Sequence, residues 1–571
     1  MNRKIIIVGG VAGGATAAAR LRRLDEHAQI ILFERGEYIS FANCGLPYYI
    51  GNVIKNRNKL TLQTPESFKE RLNIDVRIRS EVTKIHRDRK AVEVTHEGRV
   101  YEESYDYLIL SPGSEPIIPP IEGARLDGVF TLRTLPDSDR IKDFVMKNHP
   151  KSAVVVGAGY IGIEMAENLH NLGLKVSVVE LSDHVIQPLD ADMAAEVHKH
   201  ILSKGVGLYL KRGVTGIHEE GDSFLVSLSD GDSIETELVI LAVGVRPESN
   251  LAKEAGLTLG TRGCIVTDKH MRTSDPFIYA VGDAIEVTDV VTGRKVFVPL
   301  ASPANRQGRV AADNIHGLDS TYGGTLGTAI LKAFDMTVAV TGSNERVLMD
   351  AGINYGKSYT FSPSNASYYP GASSMTVKLL FEKPSGKILG AQITGFKGVD
   401  KRMDVLATAI LAGMTVKDLT GLELSYAPPF GSAKDPVNMA GYVASNILEG
   451  IFKVFHWHEV DELDPDKVTL LDVRTHEEYL DGSLKGAVNI PVDELRDRLG
   501  ELDKNKPVYV FCQIGLRGYI AYRILIQNGF KDIFNLSGGY RLYSMATTAF
   551  EPHMGTGEKI GDHPAHPTKN E

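Results

Sequence analysis

The chain has 571 residues, too many for one hydrophobic core, so three or more domains are expected. Apolar residues make up 43% and charged residues 24%, the balance of a soluble globular protein. A net charge of −9, with both signs interspersed, argues against a nucleic-acid or polyanion partner.

No apolar run reaches the roughly 18 residues that a membrane span needs. Met1-Asn2-Arg3-Lys4 leads straight into a short apolar strand without a signal-peptide pattern, so a cytoplasmic protein with no membrane association is expected. The three cysteines, Cys44, Cys264 and Cys512, lie far apart. That usage fits reactive thiols in a reducing compartment better than a disulfide framework.

Residues 4–9 are apolar and β-branched, which predicts a buried parallel strand. A glycine turn follows, then an Ala/Arg-rich helix over 12–24 and a second strand over 30–34 that ends on an acid. After a strand-rich stretch at 74–112, the same order recurs at 153–157, 159–172 and 175–180. Residues 206–244 are again strand-rich, and 263–283 read as a return into the first domain. From Thr325 strands and helices mix, with a hairpin expected at 375–390 and helices at 402–413 and 435–452. Short βα units begin near His456 and run to about Phe550. Residues 551–571 are rich in Gly, Pro, His and Lys and read as a flexible tail.

Gly157-Ala158-Gly159-Tyr160-Ile161-Gly162 lies between a predicted strand and a predicted helix, and Glu180 closes the next strand. In that setting GxGxxG is a strong dinucleotide signature. Gly157, Gly159 and Gly162 let the backbone approach a pyrophosphate, which the helix N-terminus stabilises. Glu180 can accept a bond from a ribose 2′-hydroxyl and would repel a 2′-phosphate, so NADH is expected ahead of NADPH. The N-terminal copy reads Gly9-Gly10-Val11-Ala12-Gly13-Gly14, with Val11 replacing the middle glycine and Glu34 in the ribose position. A further strand read within 273–283 stops at Gly282-Asp283. Such an acid suits the ribitol hydroxyls of FAD; taken alone, a turn or N-cap aspartate is the alternative.

Ser40-Phe41-Ala42-Asn43-Cys44-Gly45-Leu46-Pro47 follows the first of these units. With both dinucleotide motifs it resembles the two-dinucleotide flavoprotein disulfide reductases, and its cysteine motif is similar to the coenzyme A-disulfide reductase branch. The resemblance covers roughly residues 1–450. Most dithiol members carry a second cysteine where this chain has Tyr49, so the redox partner of Cys44 must come from outside, as a small thiol or a sulfane sulfur. A reactive thiol must ionise, and a short helix through Tyr48-Tyr49-Ile50 is expected to lower the Cys44 pKa. Cys264, on a predicted apolar strand, is read as packing.

Tyr368-Tyr369-Pro370-Gly371 and Tyr426-Ala427-Pro428-Pro429-Phe430 match the same branch, in which tyrosines of one subunit reach the cysteine of the other. The resemblance therefore implies a homodimer, with Tyr368 and Tyr426 as site residues; an interface or core role is the alternative. It implies FAD contacts at Gly9, Gly13, Gly14, Glu34, Gly282, Asp283 and Ala311. It implies CoA contacts at Thr16, Arg20, Arg23, Ser40, Asn43, Asn305 and Lys434. Family members often carry a histidine where Asn305 aligns. For Arg20 and Arg23 a solvated basic face is the alternative.

Cys512-Gln513-Ile514-Gly515-Leu516-Arg517 follows the apolar run 508–511 and precedes a helix. This aims backbone N–H groups, the helix dipole and Arg517 at one sulfur, a setting for a persulfide anion. With Leu471-Asp472-Val473-Arg474, Gly486-Ala487-Val488-Asn489-Ile490-Pro491 and Ser537-Gly538-Gly539-Tyr540, the segment resembles rhodanese domains over about 456–550. One departure is Gly482-Ser483-Leu484, where members often show Gly-His-Ile; it is expected to touch packing. His456, His458, His563 and His566 lack companions at metal-ligand spacing and are read as solvated, so no metal site is expected.

The expected fold is α/β with two Rossmann-like dinucleotide-binding domains, an α+β dimerisation domain and a C-terminal α/β rhodanese domain. The expected bounds are 1–118 with 265–322 for FAD, 119–264 for NAD, 323–450 for dimerisation and 456–550 for the rhodanese domain. The expected function is NADH- and FAD-dependent reduction of CoA persulfide, polysulfide and CoA disulfide through a Cys44–S–S–CoA mixed disulfide, with Cys512 handling sulfane sulfur. A CoA-disulfide reductase for thiol balance, with an accessory or docking rhodanese domain, and an NADH oxidase are the alternatives.

Overall fold

The computed structural model describes residues 3–548; the expected tail at 551–571, with His563 and His566, lies outside the described residues. The chain divides into two compact units: residues up to Leu181 with Arg212–Gly327, and Ser182–Lys211 with the described residues from Thr328 onward. No helix among the described residues is long and apolar enough to cross a membrane.

The first unit contains both nucleotide-binding folds. β1 (Lys4–Val8), α1 (Ala12–Leu24) and β2 (Gln29–Phe33) form a βαβ unit in which β1 and β2 pair in parallel, Ile5 beside Ile30. Tyr107–Leu110 pairs with the other side of β1, and Ile278–Ala280 lies beyond it, so the chain does return to the first sheet. Ile5, Ile6 and Ile7 are all buried, as a parallel strand covered on both faces requires. β3 (Ser152–Val156), α2 (Tyr160–Asn171) and β4 (Lys175–Glu180) repeat the arrangement, with Val239–Leu241 and Val129–Phe130 continuing that sheet. Three-stranded antiparallel sheets, Ser80–His86 to Arg99–Ser104 and Val214–Glu220 to Ser233–Thr236, account for the strand-rich stretches. α3 (Ala301–Ile315) packs on α1, and Gly308 permits the approach because a Cβ there would overlap the Gly13 carbonyl.

In the second unit an antiparallel sheet runs Ala329–Ala333, Met336–Gly342, Ile388–Gly395, Ser374–Glu382 and Tyr355–Pro363 in spatial order. The expected hairpin is its central pair, and Val399–Leu411 and Pro436–Leu448 are the expected helices. A five-stranded parallel sheet follows, in the order Val454–Phe455, Ile533–Leu536, β5 (Val508–Phe511), Thr469–Asp472 and Val488–Asn489. It starts just ahead of His456 because Val454 and Phe455 pair with Asn535 and Leu536. α4 (Leu516–Gln527) and α5 (Gly539–Thr547) complete the part used below.

Ser182–Lys211, expected in the NAD-binding domain, clusters with this second unit. Among the contacts that hold it there is a buried ionic hub. Lys378, fully buried, holds Asp190 at 2.8 Å, Asp192 at 2.8 Å and Glu345 at 2.5 Å. Lys357 also pairs with Glu345 at 2.8 Å, and Tyr359 donates to Asp192. The Trp457 indole N–H donates to the same Asp192 at 3.3 Å, so the entry to the parallel sheet is tied to the hub. The three carboxylates are close enough together to suit a metal, but the Lys378 ammonium is the cation they surround. His456 corrects the solvated reading: burial, with Lys357 nearby, pushes its pKa down to about 3.

Candidate functional site

The two glycine loops are built alike despite Val11. Gly9 and Gly157 hold φ of +94° and +101°, and a Cβ on either would overlap the carbonyl of Ser111 or Ala242. Gly14 and Gly162 bring the following helix onto the loop, where a Cβ would overlap the Gly9 or Gly157 carbonyl. Glu34 accepts the Gly10 N–H at 2.9 Å, and Glu180 accepts the equivalent Ala158 N–H at 2.7 Å. Each acid is therefore locked at the rim of its own cradle. Gly159 differs: its φ is −75°, and a Cβ there would meet nothing within 4 Å. No protein contact demands that glycine, so the space over it fits a pyrophosphate. Both cradles fit dinucleotides.

Gly282, at φ +80°, turns the end of Ile278–Ala280 toward Asp283, which accepts from the Ser114 hydroxyl at 3.3 Å. Burial raises the Asp283 pKa, against the Ser114 bond and the charge of Arg133. Sequence reasoning missed Arg133, since no motif marks it. It donates to the Pro112 carbonyl at 3.1 Å, and burial lowers its pKa against attraction from Glu248, Asp283 and Glu34. Gln307, also missed, accepts the Gly282 N–H at 2.8 Å from within α3. Ala311 is a correction: it is fully buried in mid-helix and has no surface to offer a ligand.

Cys44 sits in a 3-10 turn, Asn43–Gly45, at the entry to the helix Leu46–Ile50. Ser40, four residues earlier in this loop, holds the left-handed φ of +45°, which fixes the loop's path away from the Gly10 carbonyl that its N–H bonds at 2.8 Å. The expected pKa lowering is not found. The Cys44 side chain reaches solvent, yet the protein mass around it removes enough water to raise its pKa, and Glu164 and Asp283 push the same way. The helix that should oppose them has only 5 residues, too few for a substantial dipole. Glu164 accepts from the Tyr48 hydroxyl at 3.2 Å, and burial lifts its own pKa to about 7. Cys264 is packed as expected, although it lies in a loop after Thr261–Gly263 rather than on a strand. Burial, then Glu286, raises its pKa to about 11.

The expected CoA contacts separate by unit. Thr16 donates to Asn305, so α1 and α3 present them together. Arg20 is held by Asp313 at 2.7 Å, and Arg23 is exposed. Arg22, between them, is buried and spends its guanidinium on the carbonyls of Leu72, Asp25, Glu26, Ala28 and Asn73. Ser40 and Asn43 share the Cys44 loop. Lys434, Tyr368 and Tyr426 belong to the second unit. The two tyrosine hydroxyls are 3.1 Å apart, and the bond to Tyr368 raises the Tyr426 pKa.

In the parallel sheet, Cys512 leaves the end of β5 fully buried, and its Sγ accepts the Gly515 N–H at 3.1 Å. The loop is braced from α5, where the N–H groups of Tyr540 and Arg541 bond the carbonyls of Cys512 and Gln513 at 2.8 and 2.9 Å. Gly539 is required there, since a Cβ would overlap the Cys512 carbonyl. Ser483, the departure from Gly-His-Ile, donates to Asp472 at 2.7 Å, and Asp472 in turn grips Arg474. Arg517 does not point at the sulfur alone: it is bound at two points by Glu478, at 2.6 and 2.7 Å.

The model of the pyridine nucleotide-disulphide oxidoreductase family matches residues 3–308, that of its dimerisation domain 328–436, and that of the rhodanese-like domain 458–546. The coenzyme A disulfide reductase of Staphylococcus epidermidis is 38% identical over 448 residues, which are 77% of this chain and 99% of that protein. The crystal structure of reduced Bacillus anthracis CoADR-RHD superposes with a TM-score of 0.94 at 52% identity, covering 96% of this chain and 98% of that one. The NAD-dependent persulfide reductase from A. fulgidus gives 0.89 at 40% identity, covering 95% and 100%. The chain belongs to the pyridine nucleotide-disulphide oxidoreductases, a family that works with FAD and NAD(H), and it carries their dimerisation domain and a C-terminal rhodanese-like domain.

Proposed function

We propose that this chain is an NADH-dependent FAD enzyme that reduces CoA persulfide and CoA disulfide at Cys44, with Cys512 carrying sulfane sulfur. The observation that carries this reading is a solvent-reaching Cys44 whose unit holds only one other thiol, the buried Cys264. An internal dithiol is not available there, so the second sulfur arrives on a substrate. The relatives named above act on CoA disulfide and persulfide, Ser40 and Asn43 offer polar groups in the Cys44 loop, and Thr16 and Asn305 are presented together by α1 and α3.

Bound FAD supplies the two-electron link between NADH and sulfur. Gly9, Gly13, Gly14, Glu34, Gly282 and Asp283 hold FAD, and Gly157, Gly159, Gly162 and Glu180 hold NADH. Cys44 thiolate attacks CoA disulfide, expels one CoA thiolate and forms Cys44–S–S–CoA. With CoA persulfide it attacks the CoA-bound sulfur, gives the same mixed disulfide and expels hydrosulfide. Two electrons then cleave the mixed disulfide to CoA thiolate and Cys44 thiolate. Tyr368 and Tyr426, exposed at 69% and 47%, serve the Cys44 site of a second subunit in a cytoplasmic homodimer. The match to the dimerisation domain supports that arrangement.

The test is anaerobic NADH oxidation with CoA persulfide and CoA disulfide side by side, comparing kcat/KM. A preference for the persulfide with release of sulfide supports the reading. A preference for the disulfide reassigns the chain to thiol balance, and rapid oxygen consumption without either substrate makes it an NADH oxidase.

A further inference from the structure

Resting on the sulfurtransferase reading of Cys512, we propose that Glu478 sets its donor class. By clamping Arg517 it makes the mouth of the loop neutral and apolar, which favours a persulfide on an uncharged alkyl arm over a small oxyanion donor.

Arg517 ends the loop that Cys512 opens, and its guanidinium is the group a dianionic donor would seek. Both outer nitrogens are already spent on the two Glu478 oxygens, at 2.6 and 2.7 Å. Glu478 is itself fixed, since the Thr475 N–H bonds it at 2.9 Å as part of a capping box on His476–Leu480. Burial alone would raise the Glu478 pKa, but Arg517 and the Thr475 backbone bring it below the usual carboxylate range, so the pair stays charged at neutral pH.

The other arginines beside the loop are committed as well. Arg474 is bound to Asp472, to the Gly482 carbonyl and to Gln513. Arg541 pairs with Glu196 at 2.9 Å. The most exposed side chains of the loop and the start of α4 are apolar: Ile514 is 37% exposed, Leu516 60% and Ile520 40%, the last two on one face of α4, while Gln513 and Arg517 are half-buried. A donor approaching Cys512 therefore meets exposed apolar side chains on its loop and no uncommitted arginine among those three to hold a −2 charge.

The chemistry is a sulfane transfer. Cys512 thiolate attacks the outer sulfur, the new S–S bond forms as the old one breaks, and the electron pair leaves on the donor. CoA persulfide releases CoA thiolate, and thiosulfate releases sulfite.

The experiment uses the full chain with Cys44→Ser, so that sulfur is counted on Cys512 by mass gain and by thiocyanate formed with cyanide. Thiosulfate and CoA persulfide are compared as donors in the otherwise unchanged chain and with Glu478→Gln. Freeing Arg517 should raise kcat/KM for thiosulfate about tenfold, mainly through KM, and the gain should fade at high salt. CoA persulfide should change by less than about threefold. Equal losses with both donors would show that Glu478 merely holds the loop, and overturn the proposal. A second measurement needs no Glu478 variant: with Glu478 present, thiosulfate kcat/KM should be flat against salt, and a steep decline overturns the clamp. If Cys512 accepts sulfur from neither donor while the Cys44-intact chain still oxidises NADH with CoA disulfide, the sulfurtransferase reading falls, and the clamp with it.

Discussion

Replacing Gly159 with alanine separates what the protein needs from what its ligand needs. Gly159 is the N-cap of α2, its φ of −75° is open to any residue, and a Cβ would meet no atom within 4 Å. Two small effects on folding oppose each other. Lost freedom in the unfolded chain stabilises by about 0.4–1 kcal/mol. The poorer N-cap preference of alanine costs a similar amount, about 0.5–1 kcal/mol. Folding without nucleotide should therefore change by less than about 1 kcal/mol. The methyl nevertheless occupies the space from which the helix N-terminus would bond a pyrophosphate. Losing one charge-assisted hydrogen bond, about 1.5–3 kcal/mol, raises Kd about 10- to 150-fold. Anaerobic stopped-flow flavin reduction gives the Kd for NADH, and thermal unfolding of the nucleotide-free protein gives the control. FAD content should not change, because the substitution lies in the second βαβ unit and not in the Gly9–Gly14 loop. An NADH affinity within about threefold of the unsubstituted chain would refute the assignment. So would a collapse in stability, which would mean that the side chain does meet protein.

Glu164→Gln removes a carboxylate that raises the Cys44 pKa, so the pH profile of Cys44 alkylation in a Cys512→Ser chain should shift to lower pH; an unmoved curve refutes the coupling. Glu164 also carries a sign-defined stability effect. Its folded pKa of about 7 exceeds the ordinary carboxylate value, so stability is fully present below pH ~4.5 and is lost as pH rises through 7, by up to about 3 kcal/mol. Thermal scans against pH should show Glu164→Gln gaining on the unsubstituted chain as pH rises from about 4.5 to 7 and levelling off above that, and a constant offset across that window would contradict the burial argument. Lys378→Met strands Asp190, Asp192 and Glu345 in the interior, at a cost of about 3–5 kcal/mol. The first thermal transition should fall, and Trp457, the one tryptophan of the chain, should shift its emission to the red as its bond to Asp192 loosens. An unchanged emission maximum would mean that the hub does not anchor the parallel sheet.

Much of the fold was legible because its signals are local. A strand buried on both faces must be apolar throughout, which is why 4–9 and 153–157 are legible as strands, and a strand–glycine–helix turn with an acid closing the next strand has few other uses. The N-terminal copy was harder, since Val11 breaks the written pattern while Gly9, Gly14 and Glu34 retain the geometry. Cys44 and Cys512 were found because each lies in a motif whose neighbours have a chemical reason to be there.

The rest depended on side chains that meet only after folding. Arg133 faces Asp283 from a distant segment, and Ala311 is withdrawn from ligands by the packing of its own helix. The Cys44 pKa is raised rather than lowered because folding buries the thiol and brings Glu164 and Asp283 toward it, neither of which the local helix reveals. Arg517 looked available until Glu478 closed on it. The sequence alone determined which elements form, where nucleotides and sulfur can be handled, and which thiols are candidates, because those depend on short-range pattern. Only the tertiary structure decided charge and availability, because electrostatic energy depends on distance and burial in space and not on separation along the chain.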